Sequence, residues 1–226
     1  TGTVNVDGAG SSWTNINTNI YVGYNGTGVL NITNGGTVTA TYGKLSNGAG
    51  SSGTVLVDGA NSAWILTSKD SANNSLYIGS ATSTGSGTLT ISNGGVVTAA
   101  AGPCVLASFA GSSGTLNIGD YGLAGTIDTP VVTGGAGTAV VNFRETDASY
   151  TFSPQLAGNL SVNQLGTGTT ILSGANTYTG ATTISAGTLR AGNNSALGTG
   201  NVTNNATLDL GSTTLAIGGN YTQAAT

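Results

Sequence analysis

Hydrophobic and polar residues alternate along two nearly identical stretches of the chain. Residues 28–40 read GVLNITNGGTVTA, and residues 87–99 read GTLTISNGGVVTA. Leu30, Ile32 and Val38 recur unchanged in the second copy, whereas the alternating residues Val29, Asn31, Thr33 and Thr37 differ. A period of two predicts a strand with one buried face and one tolerant face. The constant Asn-Gly-Gly predicts a tight turn between two strands, because Gly and Asn accept a positive φ.

Longer repeats show where the chain tolerates insertions. GTVNVDGAGSSW at 2–13 returns as GTVLVDGANSAW at 53–64, and GTLNIGD begins a shorter echo at residue 114. The repeat unit therefore spans 51 residues the first time and 61 the second. All ten additional residues fall between apolar pairs and none within them. Variable loops between constant strands predict a solenoid of stacked coils.

The predicted fold is all-β, a parallel β-helix of about ten coils with roughly 20 residues in each. Strands about 4.8 Å apart would give a rod on the order of 50 Å long, with Thr, Ser and Asn facing outward. Asn can also form side-chain ladders in such stacks. A β-sandwich or a propeller is the other all-β possibility, but these folds favour hairpin turns and even strand spacing. We expect a single β-helical segment over 1–226, with long Gly-rich repeats at 1–127, an irregular junction at 128–158 and shorter coils at 159–226.

Composition narrows the classes of function. Charged residues are 5% of the 226 residues, the net charge is −4, and the only cations are Lys44, Lys69, Arg144 and Arg190. Four scattered cations cannot neutralise a run of phosphates, which argues against nucleic-acid binding and against attachment to anionic membranes. The single Cys104 is expected to be a small buried hydrophobic side chain. Because the chain has no His, it cannot form a Ser-His-Asp or Cys-His catalytic arrangement.

The second half of the sequence resembles a known family. The stretch TTILSGANTYTGATTISAGTLRAG at 169–192, followed by ALGTGNV and TLDLGSTTLAIGGNYTQ, is similar to the passenger-associated transport repeat of bacterial autotransporters. The strings GxLxIxNGGxV and GTVxVDGxGSxW in the first half are similar to repeats of the same passengers. The resemblance covers nearly the whole chain, and 169–222 is its more specific part.

This resemblance implies a right-handed helix and a location. Autotransporter passengers of this type are right-handed parallel β-helices that are exported through a C-terminal outer-membrane barrel to the bacterial cell surface. The transport repeat is thought to assist secretion and folding outside the cell. The sequence shows neither a signal pattern nor a barrel, and residue 1 opens within a repeat, so we expect a segment of a longer passenger.

Aromatic residues at equivalent repeat positions are the first binding candidates. Tyr21 and Tyr77 lie between inward apolar neighbours, so their rings are expected to face outward and could stack on sugar rings. Trp13 and Trp64 also share a repeat position. For these two we expect packing at a corner of a coil, with an exposed aromatic edge as the alternative.

Departures from the repeat supply the remaining candidates. The insertion SKDSANNS at 68–75 brings Lys69 and Asp70, and the stretch FRETDASY at 143–150 brings Arg144, Glu145 and Asp147. Solenoids often place specific contacts in such irregular loops, although a solvated loop is the simpler interpretation of each.

Acidic residues are the candidates for metal binding and for catalysis. Asp7 and Asp58 occupy one repeat position before Gly, which predicts structural turns, with calcium between the turns as the alternative. Glycoside chemistry requires two converging carboxylates, and no such pair stands out among the acids. The candidates are Asp7, Asp58, Asp70, Asp120, Asp128, Glu145, Asp147 and Asp209.

The expected function is non-catalytic and adhesive. We expect a surface-exposed passenger that acts in cell adhesion or bacterial self-association through many weak polar contacts. The expected partners are a host-cell surface, a glycan or identical passengers, and no cofactor or metal is expected. The alternatives are a stalk that assists folding and secretion and, third, a β-helical polysaccharide-degrading enzyme.

Overall fold

The protein folds into stacked coils that each pass through up to three strands. The computed structural model describes residues 1–224, which contain 23 β-strands. Successive strands on each side of the rod pair in parallel, one coil above the other. This arrangement confirms the prediction of a parallel β-helix. No helix in the described residues is long and apolar enough to cross a membrane.

Face 1 is the longest side of the rod and contains one strand from each of ten coils. Its strands are β1 (Gly2–Asp7), β4 (Thr27–Thr33), β7 (Ser51–Asp58), β10 (Gly85–Ser92), β13 (Ser113–Ile118), the second part of β15 (Val131–Phe143), the second part of β17 (Gln155–Gln164), β19 (Thr182–Ile184), β21 (Val202–Asn204) and β23 (Tyr221–Gln223). The count agrees with the prediction of about ten coils.

Face 2 and face 3 complete the cross-section. Face 2 is formed by β2 (Ser12–Thr14), β5 (Thr37–Ala40), β8 (Ala63–Leu66), β11 (Val96–Thr98) and β14 (Thr126–Asp128). A further sheet occupies the same place in later coils, with β16 (Tyr150–Phe152), β18 (Thr169–Leu172), β20 (Thr188–Ala191) and β22 (Thr207–Asp209). Face 3 is formed by β3 (Ile20–Val22), β6 (Gly43–Leu45), β9 (Leu76–Ile78), β12 (Cys104–Leu106) and the first parts of β15 and β17.

Coil length differs between the two halves of the rod. Paired residues on face 1 lie 25 to 34 positions apart from Gly2 to Ala139, and 19 to 21 positions apart from Ala139 to Tyr221. The expected 20 residues per coil is therefore right for the second half and wrong for the first. Each long repeat unit of the first half contains two coils, a VDG coil followed by an NGG coil.

Inward side chains form continuous apolar columns. Leu30, Val55 and Leu89 stack in register on face 1, and each is at most 1% exposed. Trp64 is also fully buried, and a methyl group at Gly43 in the coil below would lie 2.6 Å from its ring. The Trp ring thus requires a glycine beneath it. Cys104 is buried in the same core, as expected.

The Asn-Gly-Gly corners have the geometry that the sequence predicts. Asn34 and Gly35 have φ of 53° and 87°. Gly36 closes the turn by donating its N–H to Thr33, and a methyl group at Gly36 would collide with the carbonyl oxygen of Val6 in the previous coil. The third residue is therefore glycine because the coils approach closely, whereas the second is glycine because of its positive φ.

Candidate functional site

Most outward side chains of face 1 are polar and aligned from coil to coil, although Val29, Leu56 and Val140 also occupy outward positions. Asn117, Asn142 and Asn163 occupy one outward position in three successive coils. Asn142 donates its amide N–H to Asn117, and Asn163 donates to Asn142, each at 2.9 Å. Asn117 in turn donates to Thr90 at 3.1 Å. This is the side-chain ladder expected of stacked Asn residues. Asn117 and Asn142 are only 4% and 7% exposed, so the ladder mainly links successive coils to one another.

Asp7 and Asp58 cap the corners of alternate coils. Asp7 Oδ1 accepts hydrogen bonds from Thr33 Oγ1 at 2.5 Å and from Asn34 Nδ2 at 2.8 Å. These two bonds hold the pKa of Asp7 below its usual value. Asp58 accepts the same pair of bonds from Ser92 and its neighbouring Asn. The carboxylates thus have a structural partner in the next coil, and no group of three metal-ligating side chains occurs among residues 1–224.

Tyrosine and lysine side chains form a stack on face 3. Tyr21, Lys44 and Tyr77 occupy the same outward position in three successive coils. Lys44 Nζ lies 4.6 Å from the ring centroid of Tyr77 and 5.5 Å from that of Tyr42, which are cation–π distances. Tyr24 packs edge-on against Tyr21 with the ring centroids 5.1 Å apart. We call these five residues the tyrosine cluster.

Exposure distinguishes the two tyrosines that the sequence proposed. Tyr21 is 39% exposed and Tyr24 is 53% exposed, whereas Tyr77 is only 4% exposed. The expectation of an accessible ring is therefore wrong for Tyr77, although Tyr77 lies outside the main apolar core. The reason is the insertion that precedes it, because loop 67–75 bonds to Tyr77 from outside the sheet.

Loop 67–75 is held by its own hydrogen bonds. Asp70 Oδ1 accepts the backbone N–H groups of Ala72 and Asn74 at 3.0 and 3.1 Å, and Asp70 Oδ2 lies 3.4 Å from Lys44 Nζ. Asn74 Nδ2 donates to the Tyr77 hydroxyl at 2.7 Å. Burial acts to raise the pKa of Asp70, but the hydrogen bonds and Lys44 together hold that pKa below its usual value. Lys69 is exposed at the loop surface.

Three members of this cluster were not predicted from the sequence. Tyr24 and Tyr42 lie just outside the short strands β3 and β6, and Lys44 lies one coil above Tyr21. Lys44 could have been found from the chain alone if the 51-residue unit had been divided into two coils. Burial, with a smaller effect of Tyr21 and Asp70, raises the pKa of Tyr42.

The junction at 143–150 does not form an open site. Glu145 is 0% exposed, and its carboxylate accepts hydrogen bonds from Thr170 Oγ1 and from the Asp147 N–H, both at 2.7 Å. Asp147 accepts the N–H of Ala124 at 2.7 Å. The proposal that Glu145 contacts a ligand is therefore wrong, because Glu145 ties two coils together in the interior.

Arg144 stands at the edge of the same junction. Its guanidinium lies 5.7 Å from the ring centroid of Tyr121, which is 64% exposed. Its Nε is buried and has no hydrogen-bond partner in the described part of the chain. Burial raises the pKa of nearby Tyr150, with further contributions from the charges of Glu145 and Asp147.

Comparisons with known proteins show which family repeat and which proteins the chain is similar to. The family model described as the passenger-associated-transport-repeat matches residues 162–191. The chain is also 44% identical over 101 residues to the adhesin BmaC autotransporter of Brucella suis biovar 1 (strain 1330), a match that covers 45% of this chain. Residues 162–191 thus match the autotransporter passenger repeat, and nearly half of the chain is similar to an autotransporter adhesin. This homology indicates export across the outer membrane to the bacterial cell surface.

Another relative matches more of the chain. The uncharacterized lipoprotein YdeK of Escherichia coli (strain K12) is 32% identical over a 217-position alignment that covers 88% of this chain. The chain spans only 16% of the length of YdeK and 3% of the length of BmaC. No solved structure matches the chain at a significant level.

Proposed function

We propose that this passenger is a non-catalytic adhesive rod that makes contacts through the polar columns of face 1. The observation that carries the proposal is the alignment of uncharged Thr side chains on that face, where Thr54, Thr88 and Thr115 occupy one outward column in three successive coils. The name of the relative BmaC, an adhesin, supports the same role.

Repetition supplies the binding strength in this proposal. One exposed Thr contributes little binding free energy, but a second rod or a cell-surface polymer that lies along face 1 would meet similar hydroxyl groups in several successive coils. Linked weak contacts of this kind raise the overall affinity through effective concentration. With 5% charged residues and a net charge of −4, two copies repel each other only weakly. Both self-association and attachment to another surface follow from this chemistry.

The test compares charge added to two faces of the same rod. Thr54 and Thr115 occupy one outward column of face 1, two coils apart, and the matched control pair Thr39 and Thr98 occupies one outward column of face 2, also two coils apart. We expect Thr54→Lys with Thr115→Lys to abolish the clumping of coated beads or their binding to cells. The control pair Thr39→Lys with Thr98→Lys should leave both unchanged.

Equal loss in the two double variants would contradict a role of face 1 in adhesion. Release of reducing sugar from polysaccharides incubated with the protein, abolished by changing one acid, would contradict the non-catalytic part of the proposal.

A second candidate function rests on the transport repeat. The family model matches residues 162–191, which include β18, β19 and β20 of the shorter coils. In this alternative the segment is a stalk that assists folding and secretion, and another part of the passenger binds. It predicts beads that neither clump nor bind cells, and slower surface appearance when 162–191 is deleted.

A further inference from the structure

We propose that loop 119–125 is a contact between two copies of this chain, in which the exposed Tyr121 and Leu123 of one copy pack against the same residues of the other. The two copies are related by a twofold axis, so each presents the same surface to its partner. The inference deepens the self-association part of the proposed function and rests on it. It concerns a surface outside face 1 and a contact between named side chains.

Large hydrophobic side chains are rarely exposed along the rod. Within residues 25–209 only Phe109, Tyr121 and Leu123 are both large and exposed. Tyr121 is 64% exposed and Leu123 is 55% exposed, and they belong to the same loop. The coil of β13, which carries this loop, is paired with a coil on either side, so a missing neighbour along the rod does not account for the exposure. Adjacent exposed apolar side chains mark interaction surfaces, whereas single ones need no explanation.

The loop is longer than the corner that it replaces. Ile91 and Val96 lie five positions apart in the coil below, whereas their partners Ile118 and Thr126 lie eight positions apart. Three additional residues therefore lengthen the corner between face 1 and face 2, and this corner holds the exposed pair.

Hydrogen bonds to both neighbouring coils hold the loop in one conformation. Leu123 accepts the backbone N–H of Asn93 at 2.9 Å and donates its own N–H to Asn93 Oδ1 at 3.2 Å. On the other side, the N–H of Tyr121 donates to the carbonyl oxygen of Arg144 at 2.8 Å. Tyr121 has a φ of 60°, a left-handed conformation that a bulky residue keeps only where its surroundings fix it. A fixed loop loses little conformational entropy on binding, so the exposed pair is preorganised for contact.

Two charged groups beside the pair make the surface self-complementary. Asp120 is exposed next to Tyr121, and the guanidinium of Arg144 lies 5.7 Å from the Tyr121 ring centroid. Neither Asp120 nor Arg144 forms an ion pair within residues 1–224. Arg144 belongs to the coil above Asp120. In an antiparallel pair of rods with the twofold axis between these two coils, Arg144 of each copy is level with Asp120 of the other.

This charge arrangement favours a second copy over a partner of uniform charge. An acidic partner would be repelled by Asp120 and a basic partner by Arg144, whereas a second copy satisfies both groups. Two loops of seven residues bury less than the roughly 1,000 Å² of a stable interface, so we expect a dissociation constant of roughly 0.1–1 mM. Many rods on one surface act together, and this multivalency strengthens the attachment.

The test is sedimentation equilibrium of the whole 226-residue chain between about 10 μM and about 1 mM, where the native chain should show a monomer–dimer equilibrium. Leu123→Asp should weaken dimerisation at least about tenfold, because it places a carboxylate in the apolar contact. Phe109→Asp is the matched control. It adds the same charge at an exposed apolar position, at the corner between face 3 and face 1, and should leave dimerisation unchanged.

Exchange of the two charges tests the antiparallel pairing. Asp120→Arg and Arg144→Asp should each dimerise at least about tenfold more weakly than the native chain, but an equal mixture of the two should form a mixed dimer. In that mixture each new arginine faces a new aspartate, and the native Arg144 faces the native Asp120. Thermal melting shows whether each variant is folded. If Arg144→Asp is unfolded, Asp120→Arg compared with the Phe109→Asp control still decides the question.

Three results would overturn the loop contact. These are a native chain that stays monomeric at about 1 mM, equal losses in Leu123→Asp and Phe109→Asp, or no mixed dimer from two folded charge variants. The double variant Thr54→Lys with Thr115→Lys separates this contact from face 1, because it should keep the dimer in solution. Bead clumping that persists in that variant would count against face 1 and leave the loop contact intact. Loss of its dimer, with Leu123→Asp unaffected, would assign self-association to face 1 instead.

Discussion

Replacement of Ile91 by Asp tests the inward and outward assignment on which the fold rests. Ile91 lies on β10, is 0% exposed, and stacks between Val57 and Ile118 of the neighbouring coils. Its neighbour Thr90 points outward and is half-buried. We expect Ile91→Asp to unfold the middle of the rod and Thr90→Asp to be tolerated.

The magnitudes follow from the environments of the two side chains. Loss of the buried Ile91 side chain costs about 2–5 kcal/mol, and a carboxylate left unpaired in the apolar column costs several kcal/mol more. The total is at least about 5 kcal/mol, which is comparable to the whole stability of many domains. Thr90 accepts a hydrogen bond from Asn117 at 3.1 Å, and an Asp oxygen can accept the same bond, so that change should cost less than about 1 kcal/mol.

The assay is thermal melting followed by circular dichroism, with both variants at neutral pH. For a chain of this size 1 kcal/mol corresponds to a shift of about 2–4 °C, so Ile91→Asp should lower the melting temperature by about 10 °C or more, and Thr90→Asp by less than about 4 °C. Ile91→Ala supplies an intermediate value, because it removes the packing without adding a charge. Equal shifts for the two Asp variants would refute the assignment of faces.

Three further predictions concern a corner, a loop and the core. Gly36→Ala should lower the free energy of unfolding by about 1–3 kcal/mol because its methyl group meets the Val6 carbonyl, while Gly26→Ala, where no atom lies within 4 Å, should change it little in urea melts. The folded pKa of Asp70 is lowered, so this carboxylate stabilises the fold at pH values above its unfolded pKa of about 3.9. That stabilisation is lost as the pH falls through the folded pKa. The melting temperatures of the native protein and of Asp70→Asn should therefore converge in acid. Tyr178 is 0% exposed and burial raises its pKa, so its contribution to stability is present below about pH 10 and declines as the pH rises further. Absorbance at alkaline pH should show this tyrosine ionising only when the protein unfolds. Ionisation before unfolding would contradict its burial.

Much of the outward surface of face 1 and part of the tyrosine cluster could be predicted from the sequence. Alternation of apolar and polar residues located the outward Thr and Asn columns, and repeat alignment placed Tyr21 at an outward position. The exposure of each tyrosine could not be predicted, because Tyr77 has the same local pattern as Tyr21 and differs only in the loop that covers it. The burial of Glu145 could not be predicted for a related reason. Its partners Thr170 and Gln164 lie 25 and 19 residues further along the chain, so nothing in its neighbours indicated burial.

The sequence by itself determined the strands, their buried faces, the Asn-Gly-Gly corners and the stacking of coils, because these depend on residue spacing and on backbone conformations that a few residue types permit. The tertiary structure decided how many coils each repeat contains and which outward side chains come together across them. It alone joined Lys44 to Asp70 and Tyr77, and it alone buried Glu145. Such contacts depend on the register between coils and on the path of inserted loops, which are set by packing over the whole rod rather than by local pattern.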